Sequence, residues 1–267
     1  MRKVFNPIAI MSVAILSVLA ISCKKDAKAP VQDNAISQDV LAKIHNLGFS
    51  SQNVQKHAEG YLVEGDIVVT QDQLDKSPET QFLRIAGEEQ YRTYNLVGSL
   101  PRTITVRVST SLPSSYVTAT DAAIARYNAE NLRVHFSRVT SGGNILLSPA
   151  PSGAGYLASA GFPSGGNPYS SILISTQQLS GQPSQTVTSV IAHEMGHCIG
   201  FRHTDWMSRQ YSCGGSAVNE GAGSVGAVQI PGTPSGPDSG SWMLACIGSG
   251  QNRPFNSNDR IALNYLY

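Results

Sequence analysis

The sequence predicts a domain of mixed α and β structure, in which a sheet comes before one central helix. Short β-branched runs alternate with helical patterns, and the strongest helical pattern lies at residues 185–199. The 267 residues include 25 Gly and 14 Pro, which argues against an all-helical bundle. The formal net charge of +1 provides no basic excess for binding nucleic acid.

The first 22 residues are predicted to be a signal peptide. Arg2 and Lys3 precede an apolar run at residues 8–21, which ends just before Cys23. This segment resembles a bacterial lipobox, and the resemblance implies that Cys23 carries the lipid and becomes the mature N-terminus. We therefore expect an exported lipoprotein, anchored to a membrane of the bacterial envelope at its periplasmic or outer-surface face. An ordinary cleaved signal followed by a chance cysteine is the alternative.

The segment after the signal is predicted to be a tether followed by a small ordered region. Residues 23–36 are polar and small, as expected of a tether. Residues 37–90 are predicted to form an N-terminal accessory or pro-like segment. It has a helical pattern at residues 40–47 and a strand pattern that is interrupted by a turn at Gly65 and Asp66.

The larger domain, residues 91–267, has alternating strand and helix patterns. Its predicted strands lie at residues 103–108, 134–139, 145–147, 156–160 and 171–175. Its predicted helices lie at residues 121–130, 185–199 and 258–267. The stretch rich in Gly, Ser and Pro at residues 204–240 is predicted to be a long ordered loop.

Three cysteines remain once Cys23 is set aside. An exported protein favours one disulfide and one buried thiol among them. Cys213 and Cys246 are the favoured pair because both lie in loop-like sequence. Cys198 lies within a predicted helix, where it can equally be an inert apolar side chain.

The sequence HEMGHCIGFRH at residues 193–203 predicts a catalytic metal site. His193 and His197 are four residues apart on the predicted helix, so both imidazoles lie on one face about one turn apart. Gly200 can adopt a positive φ and end the helix sharply, which lets His203 approach as a third ligand. Three protein ligands hold one zinc ion and leave its fourth position to water, as is typical of catalytic zinc sites. A helix with surface histidines is the alternative.

The pattern HExxHxxGxxH resembles the signature of the metzincin metallopeptidases. Over most of residues 37–267 the chain is similar to the dual-action HEIGH metallopeptidases, with HEMGH in place of HEIGH. The resemblance implies a metzincin-like zincin catalytic domain at residues 91–267, with a mixed twisted sheet, an active-site helix and a C-terminal helix. It also implies a methionine turn beneath a single catalytic zinc, for which Met243 in the sequence Ser-Trp-Met is the best match. A core methionine after a tryptophan is the alternative for Met243.

The same resemblance implies hydrolysis of peptide bonds. Bound zinc would lower the pKa of its water towards about 7, and Glu194 would take the water proton and deliver it to the leaving amine. The substrate would be an extended peptide bound along an edge strand near residues 155–160. We therefore expect a zinc-dependent endopeptidase. The alternatives are a non-catalytic envelope lipoprotein that binds zinc, and a hydrolase of non-peptide amides.

The sequence around Asp66 suggests a latency switch. Residues 63–67 resemble the prosegment motif of astacins, Phe-x-Gly-Asp, whose Asp occupies the open position on zinc. A carboxylate is a competent zinc ligand and would displace the water. The hypothesis favoured over this one is a hairpin turn in which Asp66 makes a local hydrogen bond. No cysteine lies between residues 24 and 197, which excludes a cysteine switch from this segment.

Overall fold

The structure is a computed structural model that describes residues 35–76, 90–222, 224–234 and 237–267. The predicted signal peptide, Cys23, most of the tether and the end of the N-terminal segment at residues 77–89 lie outside the described residues. In the described ranges, no helix has the length and apolar character that crossing a membrane requires.

Helices and strands follow one another along the described chain. In order they are α1 (Gln38–Leu47), β1 (Gln55–His57), β2 (Gly60–Val63), β3 (Ile67–Thr70), α2 (Gln71–Asp75), β4 (Tyr91–Arg92), β5 (Arg102–Val108), α3 (Ser114–Asn128), β6 (Val134–Val139), β7 (Ile145–Pro149), β8 (Ala158–Ser159), β9 (Ser171–Ile174), α4 (Ser184–Ile199), α5 (Gln210–Cys213), β10 (Val228–Gln229) and α6 (Ser257–Leu266).

A five-stranded mixed sheet forms the centre of the larger domain. Its strands lie in the order β6, β5, β7, β9, β8, and all pairs are parallel except β8 with β9. Helices α3, α4 and α6 share one hydrophobic core with this sheet, which includes Ile104, Tyr127, Ile191 and Leu263. The α+β fold class predicted from the sequence is confirmed.

Two elements differ in extent from the prediction. Helix α3 begins at Ser114 instead of Asp121, because burial of Tyr116 and Ala119 outweighs the weak helix propensity of the Ser and Thr residues around them. The strand predicted at residues 156–160 contains only β8, because residues 152–157 form turns and bends.

The loop predicted at residues 204–240 carries the short α5 and β10, and β10 pairs with β4.

Helix α4 runs through the core and ends abruptly. From Thr186 to Ile199 every residue is buried, which a helix achieves only when other elements surround it. Gly200 ends the helix at φ 109°, in the left-handed region that favours glycine. A Cβ at Gly200 would lie 2.7 Å from Leu96 Cδ2, so the backbone approaches too closely here for a side chain.

The N-terminal segment folds as a small layer of its own. Strands β1, β2 and β3 form an antiparallel sheet, with α1 and α2 beside it. Its core joins Ile44, Val63 and Leu74 to Phe162 of the larger domain. Residues 36–267 form one compact unit.

The hairpin between β2 and β3 lies against the edge of the central sheet. Its turn contains Glu64 at φ 55° and Gly65 at φ 91°, followed by Asp66. The Val68 N–H donates to the Ala160 carbonyl at 2.7 Å, and the Ala160 N–H donates to the Asp66 carbonyl at 2.9 Å. This parallel pairing continues the sheet outward from the end of β8.

A disulfide joins Cys213 to Cys246, whose Cα atoms are 5.1 Å apart. It ties the end of α5 to the segment that follows Met243. Cys198 is a buried free thiol within α4. The structure thus contains the pairing that the sequence favoured.

Candidate metal centre

Helix α4 and the turn after it bring three histidines together. His193 and His197 lie one turn apart on α4, with ring centroids 4.7 Å apart. The reversal at Gly200 returns the chain, and the His203 ring then lies 4.9 Å from His197 and 5.3 Å from His193. All three side chains are buried. The spacing recognised in the sequence therefore produces a converging cluster.

Each histidine is oriented by a hydrogen bond at its outer nitrogen. The Nδ1 atoms face protein oxygens: His193 the Trp242 carbonyl at 2.9 Å, His197 the Phe201 carbonyl at 2.8 Å, and His203 the Glu220 carboxylate at 2.9 Å. Carbonyl and carboxylate oxygens only accept, so each Nδ1 carries the proton. The three Nε2 atoms therefore face inward, where they are available to a metal ion.

The inner nitrogens need a positive charge between them. Nε2 of His197 lies 3.2 Å from Nε2 of His203, and two imidazole lone pairs at this distance repel. A single proton could bridge only the pair formed by the His197 and His203 nitrogens. Nε2 of His193 and Oδ1 of Asp66 are also buried without a hydrogen-bond partner among the described residues. Ligands about 2.0–2.1 Å from a tetrahedral zinc ion lie about 3.3–3.4 Å from one another. The donor set therefore fits zinc.

Asp66 occupies the fourth side of this cluster. Its Oδ2 lies 3.1 Å from Nε2 of His203 and 3.7 Å from Nε2 of His193. One ligand atom from each of these three residues and from His197 lies within 4.8 Å of the others. The turn predicted at this position is present, but its carboxylate points into the histidine cluster. A purely local hydrogen bond of Asp66, the favoured hypothesis from sequence, is therefore wrong.

The buried site shifts the pKa values of its acidic and basic groups. Burial alone raises the pKa of Asp66, but the imidazoles of His203 and His193 outweigh it and hold that pKa well below its usual range. Burial lowers the pKa of His197, and the other two imidazoles lower it further. Burial also opposes protonation of His203, but Asp66 and Glu220 raise its pKa well above the usual value. The cluster therefore attracts cations, and zinc binding would displace a proton.

Glu194 lies directly beside the histidines. Its Oε2 is buried and has no hydrogen-bond partner in the described part of the chain. Burial raises its pKa, the Asp66 carboxylate raises it further, and His203 partly offsets both. Glu194, His193 and Asp66 line a cavity of about 240 Å³. A carboxylate so placed can exchange a proton with a molecule in the cavity.

The predicted methionine turn packs against α4 next to the histidine cluster. Met243 is fully buried, and a Cβ at Gly196 of α4 would lie only 2.6 Å from its sulfur. The neighbouring Trp242 supplies the carbonyl that orients His193. The Met243 carbonyl accepts from the Thr204 N–H at 2.9 Å, next to the third histidine. The turn thus positions both parts of the histidine cluster.

Glu220, which no sequence pattern indicated as a site residue, is fully buried. Besides His203, its carboxylate pairs with Arg209 at 3.2 Å and lies 3.9 Å from Arg202. Such an outer carboxylate fixes the ring orientation and the tautomer of a metal-binding histidine. Glu220 is the only acidic residue between positions 206 and 237. Its isolation in a loop rich in Gly and Ser was the one feature of the sequence that could have indicated a role for it.

The same arginines tie the hairpin to the metal site. Arg202 pairs with Glu64 at 3.3 Å, and neither side chain is exposed. Arg209 donates to the Glu64 carbonyl. Glu64 lies two residues before Asp66, and Arg202 directly precedes His203. The turn is therefore held on both sides of the aspartate that enters the cluster.

Glu220→Gln is expected to weaken zinc binding by about 10–100-fold, because it removes the charge that orients and polarises His203. A competition titration against a chelator measures this affinity. Glu130→Gln is the matched control, since Glu130 also pairs with an arginine, the exposed Arg260, but does not belong to the histidine cluster. A folded Glu220→Gln protein with the zinc affinity of the wild type would show that this carboxylate has no role in the site.

Comparisons with known proteins give a family and a set of similar solved structures. The sequence model of the dual-action HEIGH metallopeptidases matches residues 61–267. One structure of myroilysin has a TM-score of 0.39 and 14% identity, over 62% of this chain and 83% of that one. A second structure of myroilysin has a TM-score of 0.38 and 13% identity, over 62% of this chain and 79% of that one. High choriolytic enzyme 1, a hatching-enzyme zinc protease from Oryzias latipes (medaka fish), has a TM-score of 0.27 and 19% identity, over 38% of this chain and 44% of that one. No curated protein matches the sequence.

Proposed function

The chain belongs to the dual-action HEIGH metallopeptidase family, and on that premise we propose that this zinc metallopeptidase is an endopeptidase kept latent by its own Asp66. The observation that carries the proposal is the convergence of three Nε2 atoms beside Glu194, whose buried Oε2 has no partner among the described residues. A purely structural metal site has no need of a free carboxylate at that point.

His193, His197 and His203 would hold the zinc ion. When bound, zinc polarises the substrate carbonyl and lowers the pKa of a water molecule towards about 7. Glu194 takes the proton of the attacking water and then delivers it to the leaving amine. The Trp242 carbonyl and the Glu220 carboxylate keep two of the imidazoles aimed at the site during this exchange.

The substrate would bind along the edge of the central sheet. Strand β8 is the last strand on that side, so an extended peptide can add to it through backbone hydrogen bonds. The backbone at Asp66 and Val68 now makes such bonds with Ala160. The hairpin therefore competes with substrate for the strand edge as well as for the metal.

Latency follows from these two contacts together. The Asp66 carboxylate lies where the open position of zinc would be, and the hairpin covers the adjoining edge. The ion pair of Glu64 with Arg202 holds the turn in place. Activation would require the hairpin to leave, by cleavage of the N-terminal segment or by displacement.

Peptide-library digestion with sequencing of the products tests the endopeptidase function. The full-length chain is assayed as wild type and as Asp66→Ala, with Glu194→Ala as the blank and a zinc chelator as a second control. Internal cleavage that the chelator abolishes is the expected result. Zinc-loaded Asp66→Ala protein that cleaves no peptide would contradict the proposal and favour a non-catalytic zinc-binding lipoprotein. Hydrolysis of a non-peptide amide bond would favour the alternative hypothesis, a hydrolase of non-peptide amides.

We also propose that lipid on Cys23 anchors the enzyme to the envelope of a bacterial cell. The support is the signal-like sequence that ends just before this cysteine. Cys23→Ser is expected to release the protein from the membrane fraction, as measured by fractionation and by the mass of the mature N-terminus. An unmodified Cys23 in the mature wild-type protein would show that the signal is an ordinary cleaved one.

A further inference from the structure

The cavity beside the candidate metal site has apolar walls, and two arginines, Arg209 and Arg253, are among its lining residues. Its walls come from β8, from α4 and from the segment after Met243, and include Leu157, Val190, Leu244 and Ile247. His193 and Glu194 line the same cavity. A side chain that enters it therefore belongs to a residue next to the bond being cleaved.

Arg253 is held in this lining by three hydrogen bonds. Its Nη1 donates to the Cys246 carbonyl at 2.9 Å, its Nη2 donates to Gln251 at 3.4 Å, and its backbone N–H donates to the Ser189 hydroxyl at 2.9 Å. Cys246 and Ser189 also line the cavity. The guanidinium is therefore positioned before any substrate arrives.

The charge of Arg253 has no ion-pair partner in the part of the chain that the structure describes. The nearby Asp205 carboxylate accepts from Ala245 and Ser212 instead. Arg209, the other arginine of the cavity, pairs with Glu220. An apolar pocket that contains one unpaired guanidinium favours a carboxylate as its occupant.

The direction of β8 tells which substrate residue occupies the cavity. Residues 155–158 line the cavity but Ala160 does not, and Ala160 pairs instead with Asp66, whose carboxylate lies among the histidines. Antiparallel pairing is the more stable arrangement of two strands. A peptide that pairs in this way runs from Ala160 towards Gly155, so the residue after the cleaved bond lies at the cavity.

We propose that Arg253 makes this enzyme select an acidic side chain immediately C-terminal to the bond it cleaves. This inference rests on the proposed endopeptidase function of the same site. The side chain of Asp or Glu would pass the apolar walls and accept hydrogen bonds from the guanidinium. A glutamine of the same shape would lack the charge that makes this contact strong.

Two peptides that differ only in Glu or Gln after the cleaved bond test the proposal. With the full-length Asp66→Ala chain, we expect kcat/KM to be at least about 10-fold higher for the Glu peptide. Arg253→Gln is expected to bring this ratio close to one, and Arg253→Lys to retain part of it. Loss of folded protein cancels in the ratio, because both substrates meet the same preparation. Arg138→Gln is the control, since Arg138 pairs with Asp121 and does not line the cavity.

A ratio near one for the Asp66→Ala chain, or a ratio that survives Arg253→Gln, would overturn the proposal. So would cleavage that places the acidic residue before the broken bond, since the peptide would then run the other way. Cleavage without acidic preference leaves the endopeptidase function intact. Zinc-loaded protein that cleaves neither peptide would instead contradict the endopeptidase function, and this inference would fall with it.

Discussion

Asp66→Ala is expected to raise the peptidase activity of the full-length chain by about 10–100-fold. The change removes a charged ligand, a contact of about 1.5–3 kcal/mol, from the position where substrate must bind. Burial raises the pKa of Glu194 most, and the change also removes the Asp66 charge that raises it further. The measurement is kcat/KM on a peptide substrate, with the N-terminal segment intact.

The control for this prediction is Asp72→Ala, in the same N-terminal segment. Asp72 pairs with Lys76 at the surface and does not belong to the histidine cluster, so its removal should leave activity unchanged. Zinc content should stay at one ion per chain in both variants. If Asp66→Ala is no more active than wild type while it still binds zinc, the switch hypothesis fails.

Glu194→Ala in the Asp66→Ala chain is expected to lower kcat by about 10²–10⁴-fold or more. The three histidines remain, so zinc content should not change. What is lost is the one carboxylate, besides Asp66, that the described part of the chain places next to the histidines in the cavity lining. Steady-state kinetics together with metal analysis separate the loss of chemistry from the loss of metal.

Glu130→Ala is the matched control for Glu194→Ala, because its carboxylate pairs with the exposed Arg260 and does not line the cavity. Its kcat should equal that of the parent chain. Turnover that survives Glu194→Ala with zinc still bound would show that another group takes the water proton. The Glu-assisted mechanism would then have to be abandoned.

The local features of the site could be predicted from the sequence because close spacing determines them. Four residues of helix place His193 and His197 on one face, and a glycine at position 200 permits the turn that returns His203. The same holds for the alternating strands and helices of the larger domain. In each case the pattern and its physical cause lie within about one element of the chain.

Contacts between distant segments could not be predicted in this way. Glu220 reaches His203 from a loop without periodic pattern, and Asp66 reaches the cluster from a separate layer of the fold. Spacing and periodicity contain no signal for such pairings, which depend on how whole elements pack. The approach of Asp66 was suggested only by a motif resemblance. The start of α3 at Ser114 was missed for a related reason, since burial overrode the weak propensity of its first turn.

Anomalous X-ray scattering at the zinc edge, from crystals of the full-length chain, is the most direct test of this account. We expect one zinc ion about 2.0–2.1 Å from Nε2 of His193, His197 and His203, with an Asp66 carboxylate oxygen as the fourth ligand. A zinc ion bound elsewhere, or a His203 ring turned away from it, would contradict the proposed site.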